Sequence, residues 1–149
     1  YIGDWSSDVC SSDLRPNVSR ETNLYTDLEY KLLKIKPGIT DFSSIVFSDE
    51  ATILENSIDP DLSYNQLIRP GKSKLGLFYF DHKNFLIDIC LISITLISLL
   101  SRKMSLKMTV FLLSKLNASK ELLVLASRRQ KLIPSPPPGS NKIVSSRNI

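Results

Sequence analysis

Phe85-Leu86-Ile87-Asp88-Ile89-Cys90-Leu91-Ile92-Ser93-Ile94-Thr95-Leu96-Ile97-Ser98-Leu99-Leu100-Ser101 is the stretch on which the fold turns. From Ile89 the uncharged run lasts 13 residues before Arg102, short of the ~20 that a helix needs to span a bilayer. It is not expected to cross. At helical spacing Asp81, Asn84, Asp88, Thr95, Ser98 and Arg102 gather on one side and leave a broad apolar face, with Ser93 the exception. Such a helix suits either burial against a domain core or partial immersion in a membrane interface. The core reading is preferred at this point.

Beyond it, two further helical patterns, Lys103 to Leu116 and Ser119 to Arg129, are separated by Asn117-Ala118, and both set Lys and Arg beside Leu-rich faces. Pro134-Ser135-Pro136-Pro137-Pro138-Gly139 then reads as a polyproline II spacer, followed by a polar, mobile tail. Charge divides the same way. Residues 102–149 hold ten basic side chains against Glu121 alone, a net of +9, whereas the whole 149-residue chain carries +4. A block of that sign serves phosphates of nucleic acid or of an anionic leaflet.

Upstream, Thr26-Asp27-Leu28-Glu29 has capping-box spacing and predicts a helix over Tyr30 to Ile35, ended by Lys36-Pro37-Gly38. Ile45-Val46-Phe47, within Phe42 to Phe47, is the best strand candidate in the chain. A short helix is expected from Asp49 to Glu55. Asp59-Pro60 caps another, which continues over Leu62 to Ile68 until Arg69-Pro70-Gly71 breaks it. Residues 1–14, rich in Ser and Asp and without periodicity, look like translated sequencing adapter and are set aside as non-native.

Several chemical signals dissolve on inspection. Gly71-Lys72-Ser73 lacks the earlier glycine of a phosphate loop, because Gln66 stands there. Asp49-Glu50 is more simply the first turn of a helix, where carboxylates favour the dipole, than an acid/base or metal pair. His82 is the only histidine and has no companion at ligand spacing. Cys10 and Cys90 are too far apart in sequence to suggest a disulfide framework or a zinc cluster.

An ordered series is more informative: Arg15-Pro16, Lys36-Pro37-Gly38-Ile39-Thr40, Asp59-Pro60-Asp61-Leu62, Tyr64-Asn65-Gln66-Leu67-Ile68-Arg69-Pro70, and Leu86-Ile87-Asp88-Ile89. The series resembles the C-terminal part of the bacterial sugar transferases, the monotopic polyprenyl-phosphate sugar-phosphate transferases. Tyr79 and Asp88 fall at matching places, and the resemblance covers residues 15–147. It implies transfer of a sugar 1-phosphate from a nucleotide sugar to undecaprenyl or another polyprenyl phosphate, priming exopolysaccharide, lipopolysaccharide or glycoconjugate assembly. It also implies Mg²⁺ in the full-length enzyme and none bound by this fragment. The family's catalytic Asp-Glu pair is expected upstream of Arg15, so this chain is expected to be inactive alone, with neither catalytic nor metal-ligating residues. Arg15, Lys36, Gly38 and Thr40 are the implied substrate- and phosphate-facing positions.

The expectation is therefore an α+β fold, mostly helical with a small β element, forming the incomplete C-terminal part of a larger catalytic domain. Residues 15–101 would be the tail of that domain and 102–149 a basic helical extension. Its setting would be the cytoplasmic face of a bacterial inner membrane, with nucleotide sugar, polyprenyl phosphate and an anionic membrane surface as partners, and no nucleic acid. The alternative is a small basic helical module that binds anionic lipid or nucleic acid without catalysis.

Overall fold

The computed structural model describes residues 26–34 and 40–145. A 3-10 helix over Glu29–Lys34 comes first, then α1 (Phe42–Val46), α2 (Glu50–Glu55) and α3 (Pro60–Ser63). A π-helical turn over Tyr64–Ile68 leads into α4 (Arg69–His82), and α5 (Phe85–Leu100), α6 (Arg102–Lys115) and α7 (Lys120–Ser127) complete the helices of the described residues. The protein is mostly helical, and the described residues contain no strand.

The expected strand is helix α1. Asp41 takes extended geometry, and its carboxylate accepts from the Ser44 amide at 2.8 Å and from the hydroxyls of Ser43 and Ser44 at 2.8 and 2.6 Å. That cap starts a helix where Ile45, Val46 and Phe47 alone would favour extended chain, and a β preference is easily overridden by its surroundings. The surroundings here are three helices. α4, α5 and α6 all pack on α1, and Phe42, Ile45 and Val46 are buried in one core cluster with Leu75, Leu91, Ile94 and Leu113. Phe42 meets the rings of Phe78 and Tyr79 edge-on, at 6.2 and 6.3 Å between centroids.

The expected break at Arg69-Pro70-Gly71 is also absent, because helix continues from Pro60 to His82. Pro70 has no N–H to offer the Gln66 carbonyl four residues back, and its ring crowds that carbonyl. The chain widens just before the proline, where the Arg69 N–H reaches Tyr64 O five residues back. The freed Gln66 carbonyl accepts instead from the Ser135 amide at 3.1 Å. Gln66 Nε2 donates to Val144 O at 2.8 Å, and the Thr26 hydroxyl donates to Pro138 O. Among the described residues, the Pro-rich segment is thus a strap tied across the π turn rather than a free spacer.

Under this strap lies a buried polar node. The Thr26–Glu29 capping box forms as its spacing suggests, with Glu29 Oε2 accepting from the Thr26 amide at 2.9 Å and the Glu29 amide donating to the Thr26 hydroxyl at 3.4 Å. Glu29 is also fully buried. Arg69 grips it with two bonds, Nε to Oε1 at 3.1 Å and Nη2 to Oε2 at 2.5 Å, and Ser73 adds a third at 2.6 Å. A buried carboxylate needs this degree of satisfaction, since an unpaired one costs several kcal/mol.

Candidate functional site

Helix α5 packs with its polar side inward. Only Ile87, Leu91 and Ile94 enter the core from it. The polar sector lies beside that line: Asp88 accepts from the Tyr79 hydroxyl at 2.6 Å, Thr95 shares a 2.8 Å hydroxyl bond with Thr40, and Ser98 is half-buried against its own helix. Thr95 spends its own proton on Leu91 O, so Thr40 is the donor in that pair. The outward side carries Phe85, Ile89, Ile92, Leu96, Leu99 and Leu100, all exposed, with Leu96 at 61%, Leu99 at 79% and Leu100 at 90%. The preferred expectation, a broad apolar face buried on the core, is corrected. The core takes a narrow line of α5 and leaves most of the apolar face outward.

Basic side chains flank this face. Lys83 precedes α5 with its ammonium over the Phe80 ring, and Arg102 and Lys103 follow the corner at Ser101. Helix α6 packs against α5 and repeats the pattern, exposing Met104, Met108 and Phe111 beside Lys103, Lys107 and Lys115. No helix among the described residues is long and apolar enough to cross a membrane. The 16 residues of α5 extend about 24 Å at 1.5 Å each.

Of the four positions implied by resemblance, Arg15, Lys36 and Gly38 lie outside the described residues. Thr40 is described, and its hydroxyl bonds to Thr95 on α5. Tyr79 and Asp88, the motif pair, meet directly. Burial, the Asp88 hydrogen bond, the Asp88 charge and the more distant Asp41 charge push the Tyr79 hydroxyl up to about 12 from its ordinary 10.0. It therefore stays a donor across the ordinary pH range.

Asp49 and Glu50 stand where α2 begins, as expected, yet their oxygens serve cations rather than the helix end. Glu50 pairs with Lys72, and Asp49 holds two arginines, Arg102 Nη2 at 2.8 Å from Oδ1 and Arg128 Nη2 at 3.0 Å from Oδ2. Gly71-Lys72-Ser73 sits inside α4, where no phosphate loop is formed. Among the described residues no three His, Cys, Asp or Glu side chains group to hold a metal ion. Sequence reasoning missed the Asp49 node because its arginines lie far along the chain. The only signal was an acidic pair in a segment followed by a strongly basic one.

Comparison with family models, with curated proteins and with solved structures gave no match.

Proposed function

We propose that this chain is a membrane-interface module in which α5 lies along the bilayer surface with its outward apolar face in the acyl boundary. The observation that carries this is the orientation of α5, polar side to the body and Phe85, Ile89, Leu96 and Leu100 to the outside. In water such a face leaves large side chains hydrated, at a cost of ~1.5–3 kcal/mol for each one not buried. Placed in an interface, the same face is satisfied, and basic residues at both ends of the helix reach anionic headgroups. Its length suits lying in the interface rather than crossing it.

The ordered motifs add the chemical role. On that reading the module belongs to a polyprenyl-phosphate sugar-phosphate transferase at the cytoplasmic face of a bacterial inner membrane, and it positions the catalytic part over its lipid-linked acceptor. The Tyr79–Asp88 bond and the Thr40–Thr95 bond support this, because both tie a motif residue to the interfacial helix.

Two experiments separate the layers of the proposal. Sedimentation with anionic vesicles tests the interface role, against retention of duplex DNA as the competing use of the basic residues. Joining a segment that bears an Asp-Glu pair ahead of Arg15 tests the chemistry. The expected result is nucleoside monophosphate release that depends on polyprenyl phosphate, and no release counts against the transferase role while leaving the vesicle result standing.

A further inference from the structure

The Asp49 node has more cation than it can use. Two guanidiniums share one carboxylate, so the cluster keeps a charge of about +1 after pairing, and Glu50 beside it is engaged by Lys72. Three buried guanidinium nitrogens, Arg102 Nε and Arg128 Nε and Nη1, have no acceptor among the described residues. Asp49 Oδ1 is near Arg102 Nη2 but off the line of a hydrogen bond. A buried N–H without an acceptor forfeits its hydration for nothing, typically about 1–3 kcal/mol. Arg128 is held in this arrangement despite a left-handed backbone (φ 52), a conformation that favours glycine, and its guanidinium stacks 5.4 Å from the Phe47 ring centroid. The Arg128 side chain is 11% exposed and that of Arg102 40%, so the cluster opens to solvent on the Arg102 side.

The geometry points to a phosphate-binding site formed by Arg102 and Arg128, in which a phosphate group takes up the unused guanidinium donors and Asp49 holds both forks in place until it arrives. Planar forks present paired N–H groups at the spacing of phosphate oxygens, and a tetrahedral anion has enough acceptors for three further donors. The site lies at the corner between α5 and α6, next to the exposed Leu99 and Leu100. The phosphate therefore has two possible sources, a lipid headgroup or a soluble phosphate compound. The lipid source rests on the interfacial reading of α5, and the site itself does not.

The test uses the full chain and titrates inorganic phosphate against chloride at matched ionic strength, followed by calorimetry. Saturable binding is expected with phosphate alone. Arg102→Gln, which removes the more exposed of the two guanidiniums, weakens it by roughly tenfold, the worth of one charge-assisted bond. Arg102→Lys recovers only part, because the charge returns without the fork. Asp49→Asn strengthens phosphate binding, since the competing carboxylate is gone, whereas a purely structural node gives lower stability and no change in phosphate response. In a second arm, vesicles of phosphatidylcholine with and without phosphatidate are compared for wild type and Arg102→Gln. Loss of the phosphatidate preference in the variant assigns the site to a lipid headgroup. A preference untouched by the variant, with inorganic phosphate binding still lost, assigns it to a soluble phosphate. Phosphate no different from chloride, or a response indifferent to Arg102→Gln, overturns the site whatever the vesicles do.

Discussion

Replacing Leu99 and Leu100 together by serine removes two side chains that the folded protein barely uses. They are 79% and 90% exposed, so little of their burial energy is committed to the core. Fully burying a leucine is worth about 1.5–3 kcal/mol, and interfacial immersion recovers part of that, about 1.5 kcal/mol each. The pair then contributes about 3 kcal/mol to membrane partitioning, a factor of roughly 100. Folded stability should move by no more than about 0.5 kcal/mol, as for ordinary surface changes. The assay is co-sedimentation with vesicles containing anionic lipid, run beside denaturant unfolding of the same samples. A variant that binds vesicles as well as wild type refutes the reasoning, and so does one that no longer unfolds cooperatively, since the two leucines would then belong to the core.

Other consequences follow from the interior. Arg69→Met leaves Glu29 buried without its main partner and should cost about 3–5 kcal/mol in denaturant unfolding, much of it recovered when Glu29→Leu is added. Gly71→Ala should destabilise by about 1–3 kcal/mol despite the better helix propensity of alanine, because the added Cβ would stand 2.6 Å from Phe47 Cζ; equal or higher stability would show that the ring moves freely. The raised Tyr79 group binds its proton more tightly in the folded state, so its contribution is intact below pH 10 and declines as pH rises toward 12. Tyr79→Phe should flatten that decline, and the late-ionising phase seen in spectroscopic titration of the wild type should be lost in that variant.

Helices α5, α6 and α7 were legible because their signals are local. The period of residues 85–101, the separation at Asn117-Ala118 and the Asp59-Pro60 cap each fix a helix without help from distant residues, and Ser119 caps α7 through the Leu122 amide. The errors arose where a local preference met a local antidote. Ile45-Val46-Phe47 looks extended until Asp41 is read as a cap for Ser43 and Ser44. Pro70 looks like a stop until the π turn widens before it and Ser135, 69 positions after Gln66, supplies the missing donor. That second rescue is tertiary and leaves no mark near the proline.

The candidate site was half legible for the same reason. Composition and period gave α5 its apolar face, but which way the face points depends on α1, α6 and the hydroxyls of Thr40 and Tyr79, which claim the inner side. The Glu29–Arg69 and Asp49–Arg102–Arg128 groupings depend on folding alone, since no spacing rule joins residues so far apart.

A fluorophore can report directly where the outer side of α5 resides. Cys10 and Cys90 are replaced by serine, and a single cysteine carrying an environment-sensitive dye is placed at Leu96 on α5 or, as a reference, at the exposed Thr52 on α2. With vesicles containing brominated acyl chains, the dye at 96 should shift to the blue and be quenched while the dye at 52 is unaffected. Equal, water-like emission from both positions in the presence of vesicles would contradict the account.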